Sequence, residues 1–439
     1  MSNLTEKKEY FPRLIMEDLK KWLARREIYA IKGPRQSGKT TLLKILKDYL
    51  IEKEKVNPKN IIFFTLEDRD ILDKFSQDPK SFIQSFIFAP EEKYYFLIDE
   101  FQYLQQGGQR LKLLYDLFDN IKFIITGSSS LELTDQTGKF LVGRLFSFYL
   151  FPLSFAEFLK VRDQRLFRVY QEKHSLVWDF ITKNRGFPVK KDIFVKDLDR
   201  YFQEYVIWGG YPEVVKTKDL ETKRMILKNI YDTYITKDIV ELLKITDTFR
   251  FRNLLGHLAN QIGNLVNYNN LALDTQSYFQ EVKRQLSILN ETYLISTLRP
   301  FFTNKATELK KNPKIYFVDT GLRNYLVSNF NSLDQRMDKG ILVENIVLQQ
   351  LKTSFEENWQ INFWRTLAKA EVDFVLKANK TIIPLEVKYS SFREPKTSRS
   401  LQSFISGYEP QQVIVTTQDF WGEKRVRNSL IKFVPTCYL

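Results

Sequence analysis

The sequence GPRQSGKT at residues 33–40 constrains the fold of this 439-residue chain more than any other feature. It satisfies in full the pattern G-x-x-x-x-G-K-[S/T] of a phosphate-binding loop. The apolar run EIYAIK precedes it and the helical sequence TTLLKILKDYL follows it, which is the strand–loop–helix context that the pattern requires. Glycines let backbone N–H groups surround a phosphate, and the N-terminus of the following helix adds a positive dipole. A chance glycine turn is the alternative, but it does not account for both flanking elements.

The loop predicts a site for ATP and Mg²⁺. We expect Lys39 to reach the β- and γ-phosphates and the Thr40 hydroxyl to ligate Mg²⁺. The residues predicted to contact the nucleotide in and beside the loop are Gly33, Pro34, Arg35, Gln36, Ser37, Gly38, Lys39, Thr40 and Thr41.

Two further apolar runs end in polar residues that suit the same chemistry. YYFLIDE closes with Asp99 and Glu100. We expect Asp99 to hold Mg²⁺ through water, and Glu100 to orient or deprotonate the attacking water. IKFIITGSSS places Thr126 and Ser128 where they would sense the γ-phosphate, although turn-forming residues fit the same pattern. Arg144 in FLVGRLFSF is a candidate arginine finger for the nucleotide, and a surface or core-bridging arginine is the alternative.

Several motifs together resemble the AAA+-type ATPases of bacteria and archaea that carry a restriction-endonuclease-like C-terminal domain. The resemblance rests on GPRQSGKTTLL, FLIDEFQYL, FIITGSSSLEL, LVGRLFSFYLFPLSFAEFL and WGGYPEVV, and extends from about residue 25 to about residue 395. These proteins are grouped near the STAND-type regulatory ATPases. The resemblance implies an AAA+ core, a helical and winged-helix middle and a nuclease-like end, and it says more about the fold than about the function.

The pattern of apolar residues predicts an α/β multidomain protein, and the resemblance supplies the identities of its domains. Residues 1–155 alternate strands with amphipathic helices, as in a parallel sheet with crossover helices, and the resemblance implies that they form the AAA+ P-loop core. Residues 156–245 are mostly helical, are broken at NRGFP and WGGYP, and are interpreted as a helical lid or linker. Residues 246–312 keep the helical period, and the resemblance implies a winged-helix-like domain. Residues 313–439, which begin at KIYFVDTGL, form a smaller α/β domain, for which the resemblance implies a restriction-endonuclease-like fold.

The middle of the chain fits a helix–turn–helix pattern. A short helix carries Leu271 and Ala272, a turn and a second helix follow, and LISTLRPFF would form the wing. Lys283 and Arg284 on the second helix would face the phosphates of DNA. Glu281 on the same face opposes DNA, and winged helices in AAA+-type proteins often serve only as packing modules. Both interpretations stay open.

The C-terminal stretch KAEVDFVLKANKTIIPLEVKYSS fits the D…(E/D)-x-K core of the PD-(D/E)XK nuclease fold. On paired strands, Asp373 and Glu386 would converge and bind Mg²⁺ or Mn²⁺ through oxygen, with the Val387 carbonyl as a further ligand. Lys388 shares a strand face with Glu386 and would position the attacking water and neutralise charge. Glu344 in ILVENIVLQQL lies on a helix where this fold often keeps another acid. A surface ion pair is the alternative, but acids on otherwise apolar strands are costly unless they are compensated.

Composition favours a polyanionic partner. The chain has 67 Lys and Arg against 53 Asp and Glu, a net charge of +14, and Arg365 and Lys369 beside the acids are predicted phosphate contacts, so DNA is the expected partner. The single cysteine, Cys437, excludes an internal disulfide and fits a reducing compartment. Without a signal peptide or an apolar run of membrane length, we expect a cytoplasmic protein with no membrane partner. His174 and His257 are too few for a multi-histidine metal site and are expected to be solvated or structural.

Three functions are consistent with these features. The first is an ATPase coupled to a metal-dependent nuclease that acts on DNA. The second is a nucleotide-controlled switch or scaffold of the STAND type, and the third is a DNA-binding ATPase with an inert nuclease fold. Arg144 acting in trans would require a homo-oligomer, which the sequence does not specify.

Overall fold

Two units of the chain each contain their own β-structure. The computed structural model describes residues 10–127, 141–188, 192–243, 245, 247–302, 311–355 and 358–439. The first unit comprises Met1–Leu153, Asp232–Ile245 and Ser287–Leu294, and the second comprises Ser154–Tyr231, Thr246–Leu286 and Ile295–Leu439. This division is coarser than the four predicted domains, whose boundaries stay predictions.

The first unit is built around a five-stranded parallel sheet with the strand order β2–β3–β4–β1–β5. The strands are β1 (Ile28–Lys32), β2 (Ile61–Thr65), β3 (Tyr94–Asp99), β4 (Ile121–Gly127) and β5 (Leu145–Tyr149). The helices are α1 (Ile15–Lys21), α2 (Lys39–Glu52), α3 (Arg69–Gln77), α4 (Pro79–Gln84) and α5 (Gly107–Leu117), with 3₁₀ turns at Pro58–Asn60 and Phe101–Tyr103 and a π-helix at Tyr234–Leu242. The parallel sheet and its crossover helices confirm the α/β fold predicted for this part of the chain.

The central strands of this sheet are buried on both faces. Every residue of β1, β3 and β4 is buried. Along β1, Ile28 and Ala30 pack into one apolar cluster, while Tyr29 and Ile31 pack into another. Successive residues of a strand point to opposite faces, so each face of the sheet has its own core. This explains why the predicted strands read as continuous apolar runs rather than as alternating patterns.

The second unit is largely helical at first and ends in a mixed sheet. Its helices are α6 (Phe155–Arg162), α7 (Gln164–Lys183), α8 (Val195–Trp208), α9 (Pro212–Lys216), α10 (Leu220–Thr233), α11 (Thr248–Asn260), α12 (Tyr268–Asp274), α13 (Phe279–Glu291), α14 (Thr320–Leu326), α15 (Lys339–Ser354) and α16 (Arg399–Tyr408), with 3₁₀ turns at Leu333–Gln335 and Thr436–Tyr438. The last residues of α10 and α13 fall in the first unit. None of the described helices is both long and apolar enough to cross a membrane.

Six strands form the C-terminal sheet in the order β12–β13–β11–β10–β9–β8. They are β8 (Gln360–Arg365), β9 (Glu371–Ala378), β10 (Thr381–Val387), β11 (Gln412–Thr417), β12 (Gly422–Val426) and β13 (Ser429–Pro435). The strands β8, β9 and β10 pair antiparallel, whereas β10, β11 and β13 pair parallel. The predicted C-terminal α/β sheet is therefore present, and its restriction-endonuclease-like identity stays a prediction.

A separate two-stranded sheet contains the strand that opens the predicted C-terminal domain. The strand β7 (Lys314–Phe317) pairs antiparallel with β6 (Ile295–Leu298), with Ile295 opposite Phe317. The sequence did not predict this pairing, because a short apolar strand carries no local signal for the partner with which it will pair.

The helices of the predicted helix–turn–helix are present. Leu271 and Ala272 are buried on α12, and Val282 and Leu289 are fully buried on α13. The two helices are followed by β6, which lies within the predicted wing LISTLRPFF. Their identity as a DNA-reading winged helix stays a prediction.

The WGGYP motif marks a close approach between the end of α8 and the start of α14. Gly209 has a φ of 74°, and a Cβ atom on it would lie 2.2 Å from the Oδ1 atom of Asp319. The N–H of Gly210 donates to Asp319 Oδ2 at 2.7 Å. A Cβ atom on Gly321 would lie 2.0 Å from the carbonyl oxygen of Trp208. The glycines therefore let the two helix ends meet over a buried carboxylate.

We expect Gly209→Ala to lower the free energy of unfolding by about 2–5 kcal/mol, because alanine is strained at this φ and its methyl group overlaps Asp319. The matched control is Gly407→Ala, on α16, where an added methyl group meets open space. The control should raise the free energy of unfolding by about 1 kcal/mol or less. Urea unfolding followed by circular dichroism measures both, and equal losses in the two variants would contradict the close-approach explanation.

Candidate nucleotide site and C-terminal acid cluster

The predicted phosphate-binding loop connects β1 to α2 and depends on its glycines. A Cβ atom on Gly33 would lie 2.0 Å from the carbonyl oxygen of Leu150, so only glycine fits there. Gln36 and Gly38 adopt left-handed φ angles of 58° and 98°, which turn the chain before α2 begins at Lys39. The remaining predicted contacts lie in the loop or in the first turn of α2: Pro34, Arg35, Ser37, Thr40 and Thr41.

The Lys39 ammonium is held by the loop itself. Its Nζ atom donates to the carbonyl oxygens of Gly33 at 2.9 Å and Pro34 at 2.8 Å, and the side chain is buried. Burial lowers the pKa of Lys39, while the carboxylates of Glu100 and Asp238 oppose that change. Lys39 therefore presents a buried cation next to the N-terminus of α2, where phosphates bind.

Thr40 and Asp99 form a donor set that suits Mg²⁺. The Thr40 hydroxyl donates to Asp99 Oδ2 at 2.5 Å, and the Thr126 hydroxyl donates to Asp99 Oδ1. Hydroxyl and carboxylate oxygens are the ligands that Mg²⁺ takes beside nucleotide phosphates. The structure therefore brings together the two residues predicted to hold this ion.

The Ser37 hydroxyl is also suited to a loop that binds a phosphate. Its hydroxyl oxygen is buried and has no hydrogen-bond partner within the described ranges, and such a group needs a partner from elsewhere. The Arg13 guanidinium fixes the backbone here by donating to the carbonyl oxygens of Ser37 at 2.8 Å and Phe151 at 2.6 Å. Sequence analysis missed Arg13, because nothing in the apolar pattern of the N-terminal residues links it to the loop.

Glu100 stands directly after Asp99 with a left-handed φ of 54°. Its backbone N–H donates to the Thr126 hydroxyl at 3.2 Å, and its carboxylate accepts from the Gln102 amide. Thr126 is thus tied to both acids, and its predicted role as a γ-phosphate sensor stays a prediction. Ser128, the second predicted sensor, lies outside the described residues.

An ion pair that the sequence does not predict borders the loop. Arg35 Nε donates to Asp238 Oδ2 at 2.9 Å, and Arg35 Nη2 donates to the Tyr103 hydroxyl at 3.3 Å. Burial lowers the pKa of Arg35, but Asp238 and Glu100 outweigh burial and raise it overall. Asp238 lies on the π-helix of the same unit, 203 positions away in the chain.

The structure does not bring Arg144 to this site. Its backbone carbonyl accepts from the Ile28 N–H at the start of β1, which is the amino edge of the parallel sheet, whereas the loop follows the carboxyl end of β1. The Arg144 side chain pairs with Asp116 at 3.2 Å. Arg144 therefore does not contact a nucleotide in the loop of its own chain, and its role in trans stays a prediction.

Asp373 and Glu386 lie directly beyond the last antiparallel pair of β9 and β10. That pair is Leu385 on β10 and Phe374 on β9, and Glu386 and Asp373 are the next residues. Asp373 Oδ2 accepts a hydrogen bond from the Val387 N–H at 2.7 Å. The Val387 carbonyl as a metal ligand stays a prediction.

The four residues predicted to form the nuclease-like site are close together: Glu344, Asp373, Glu386 and Lys388. Burial raises the pKa of Asp373, the carboxylate of Glu344 raises it further, and Lys388 lowers it. Lys388 Nζ lies 3.1 Å from Glu386 Oε1. Burial alone would lower the pKa of Lys388, but Glu386 and Asp373 outweigh burial and raise it overall.

The hairpin strand β7 adds residues that sequence analysis missed. Lys314 Nζ lies 2.6 Å from Glu371 Oε1 and 3.4 Å from Glu344 Oε1, and the Tyr316 hydroxyl donates to Glu344. Lys314 and Tyr316 share a face of the strand because they are two residues apart. We call Glu344, Glu371, Asp373 and Glu386 the acid cluster. The buried Lys314 is a counterion of this cluster.

The predicted Mg²⁺ or Mn²⁺ site at Asp373 and Glu386 stays a prediction. Within the described ranges, no group of three or more His, Cys, Asp or Glu side chains is placed to hold a metal ion. Lys388 pairs with Glu386, one of the two predicted ligands, whereas Lys314 pairs with Glu344 and Glu371. Glu386 Oε2 nevertheless is buried and has no hydrogen-bond partner among the residues described.

The predicted DNA-contacting residues are exposed or partly exposed, and two of the four pair with acids. Arg284 forms two hydrogen bonds with the Glu281 carboxylate, at 2.8 and 2.9 Å, which reduces its availability to a phosphate. Arg365 lies 2.8 Å from Glu371. Lys283 on α13 and Lys369, with a φ of 64°, are exposed. Their contacts with DNA stay predictions.

Relatives of similar length occur in a bacterium and an archaeon. The chain is 25% identical over 407 residues to an uncharacterized protein of Haemophilus influenzae, covering 91% of each chain. It is also 25% identical over 437 residues to an uncharacterized protein of Methanocaldococcus jannaschii, covering 96% of this chain and 90% of that protein.

Two solved structures match part of the chain. The Walker-type ATPase of Pyrococcus abyssi has a TM-score of 0.46 and 17% identity, covering 73% of this chain and 97% of that chain. The ADP form of the Aeropyrum pernix ORC2 protein has a TM-score of 0.35 and 12% identity, covering 74% of this chain and 97% of that chain.

Three family models match successive parts of the chain. Residues 199–333 and 339–435 match two models described as domains of unknown function, DUF8612 and DUF4143. Residues 25–159 match the model described as AAA domain, and they contain the loop, Asp99, Glu100 and the parallel sheet. This part of the chain therefore matches a AAA domain and carries the phosphate-binding loop.

Proposed function

We propose that the chain binds ATP at the phosphate-binding loop and hydrolyses it. The observation that carries this proposal is the convergence of Lys39, Thr40, Asp99 and Glu100 at the carboxyl edge of the parallel sheet. The carboxyl edge is where open α/β sheets bind their ligands.

Each of these residues has a chemical role in the proposal. Lys39 would exchange the two loop carbonyls for phosphate oxygens, and Thr40 and Asp99 would hold Mg²⁺, which neutralises phosphate charge. Glu100 would orient the attacking water and accept its proton. The hydrogen bonds of Thr126 to Asp99 and Glu100 keep the two acids in place for these roles.

DNA is the proposed partner of this ATPase. The net charge of +14 supports a polyanionic partner, and the exposed Lys283 and Lys369 are available to phosphates. A homo-oligomer in which Arg144 reaches the loop of a neighbouring copy is a further part of the proposal. A nucleotide-controlled switch without DNA cleavage is the competing function.

We expect Lys39→Ala to abolish ATP binding and hydrolysis, and Glu100→Gln to bind ATP normally while hydrolysing it at least about 100-fold more slowly, since only Glu100 acts on the attacking water. Lys44→Ala is the matched control, because Lys44 is an exposed lysine on the same helix. Phosphate release and equilibrium binding of ATP measure these effects. Full hydrolysis by the Lys39→Ala variant would overturn the proposed site.

The second candidate function is cleavage of DNA by the C-terminal domain. The observation that favours it is the buried Glu386 Oε2, which has no hydrogen-bond partner in the described part of the chain and lies next to Lys388, whose side chain is 43% exposed. An accessible ammonium beside a buried carboxylate is able to contact a phosphate and orient a water molecule. A divalent ion held by Asp373 and Glu386 would add positive charge that neutralises the phosphate.

We expect the chain to cut linear, single-stranded or branched DNA, and the double variant Asp373→Asn, Glu386→Gln to lose at least about 100-fold of that rate. Glu394→Gln is the matched control, since Glu394 is an exposed acid in the loop after β10. The assay is run with and without ATP, Mg²⁺ and Mn²⁺. Failure of the wild type to cut any substrate, with ATP hydrolysis intact, would favour the switch.

We expect Lys314→Met to lower the free energy of unfolding by about 3–5 kcal/mol, because it leaves the buried Glu344 and the partly buried Glu371 without their ammonium partner. Arg365→Gln removes the more exposed partner of Glu371 and should cost about 1 kcal/mol or less. Urea unfolding distinguishes the two variants, and equal losses would show that Lys314 is not the counterion of the cluster.

A further inference from the structure

The Asp238 carboxylate contacts the phosphate-binding loop of its own chain. Its carboxylate lies 2.9 Å from Arg35 Nε, and the exposed fractions of the two side chains are 3% and 10%. Burial raises the pKa of Asp238, whereas Arg35 and Lys39 both lower it. The Asp238 carboxylate thus faces the two cations that the loop would offer to a phosphate.

The charges around Asp238 make its position sensitive to a bound polyphosphate. Arg35 and Lys39 are the loop cations near Asp238, and Glu100 is a second nearby carboxylate. A polyphosphate at the loop adds several negative charges within this poorly solvated region. Those charges attract Arg35 and Lys39 and repel Asp238.

The segment that carries Asp238 has an unusual backbone. Residues Tyr234–Leu242 form a π-helix, which follows the α-helix Leu220–Thr233 without a break in the chain. π-helices are rare, are usually short and occur often at functional sites. A π-helix has more residues per turn than an α-helix, so rewinding this segment would redirect the Asp238 side chain.

We propose that Asp238 is a latch that a nucleoside triphosphate displaces from Arg35. Arg35 is then a second phosphate-binding cation of the loop, and Asp238 is the partner that it leaves when the phosphates bind. This exchange frees the segment Tyr234–Leu242 from the loop. Nucleotide binding at the loop therefore changes a segment that is distant from it in the sequence. This inference rests on the proposed ATP site and adds a sensor to it.

Binding measurements test the exchange. Asp238→Asn keeps the shape of the side chain and removes its charge, so we expect this variant to bind a non-hydrolysable ATP analogue about tenfold more tightly than the wild type, with a smaller gain for ADP. Arg35→Gln should weaken binding of the analogue about tenfold and cancel the gain in the double variant. The matched control is Lys237→Gln, which removes the partly exposed ion pair between the same π-helix and Glu67 and should leave affinity unchanged.

Hydrogen exchange supplies a readout that is independent of affinity. In the wild type, the ATP analogue should speed amide exchange in residues 234–242, and in the Asp238→Asn variant this segment should exchange faster even without nucleotide. Circular dichroism and thermal unfolding establish that each variant is folded.

The outcomes separate the latch from the ATP site. If the wild type binds the ATP analogue and Asp238→Asn binds it no more tightly, the latch is wrong and the ATP site stands. The same conclusion follows if segment 234–242 exchanges at one rate with and without the analogue. If the folded wild type binds neither ATP nor ADP, the proposed site and the latch are both overturned.

Discussion

The parallel direction of five strands is the constraint on which the nucleotide site depends. Because all five strands run the same way, their carboxyl ends lie at one edge of the sheet, where the loop follows β1 and Asp99 ends β3. Thr126 on β4, which lies between β1 and β3, donates to Asp99 from the middle of this edge. The hydrogen bond from Thr40 to Asp99 then fixes the start of α2 against β3. The same constraint leaves Arg144, which precedes β5, at the amino edge.

Local signals were enough to predict the residues of this edge, and they fail where a contact joins distant parts of the chain. The loop pattern and the strand-end acids identified Lys39 and Asp99, because strand, turn and helix are all encoded within a few residues of each. Asp238 lies in YITKDIVEL, which has the composition of an ordinary amphipathic helix, and no periodicity relates it to Arg35. Its role follows only from tertiary packing within the first unit.

In the C-terminal domain, too, local sequence predicts contacts between neighbouring residues but not contacts between distant ones. The E-x-K spacing led us to expect Lys388 beside Glu386, and their charged atoms lie 3.1 Å apart, while Asp373 lies one position beyond the last antiparallel pair of β9 and β10. Lys314 could not be predicted as a partner, since β7 pairs with β6 and reaches the acids only through the fold. Strand pairing depends on residues that are distant in the sequence. The pattern of a short apolar strand therefore predicts that the strand is buried, but not which strand it pairs with.

The two sites differ in how their charges are balanced, and this difference determines which ligand each one favours. At the loop, Arg35 contacts the Asp238 carboxylate and the Tyr103 hydroxyl, whereas the buried Lys39 contacts two backbone carbonyls. A polyphosphate offers Lys39 a stronger partner than a backbone carbonyl, so this exchange is favourable. In the acid cluster, Lys314 and Lys388 already supply positive charge to the carboxylates. These ammonium groups reduce the net negative charge that the cluster offers to a divalent cation, so the lysines as well as the number of acids determine the affinity of this domain for a metal ion.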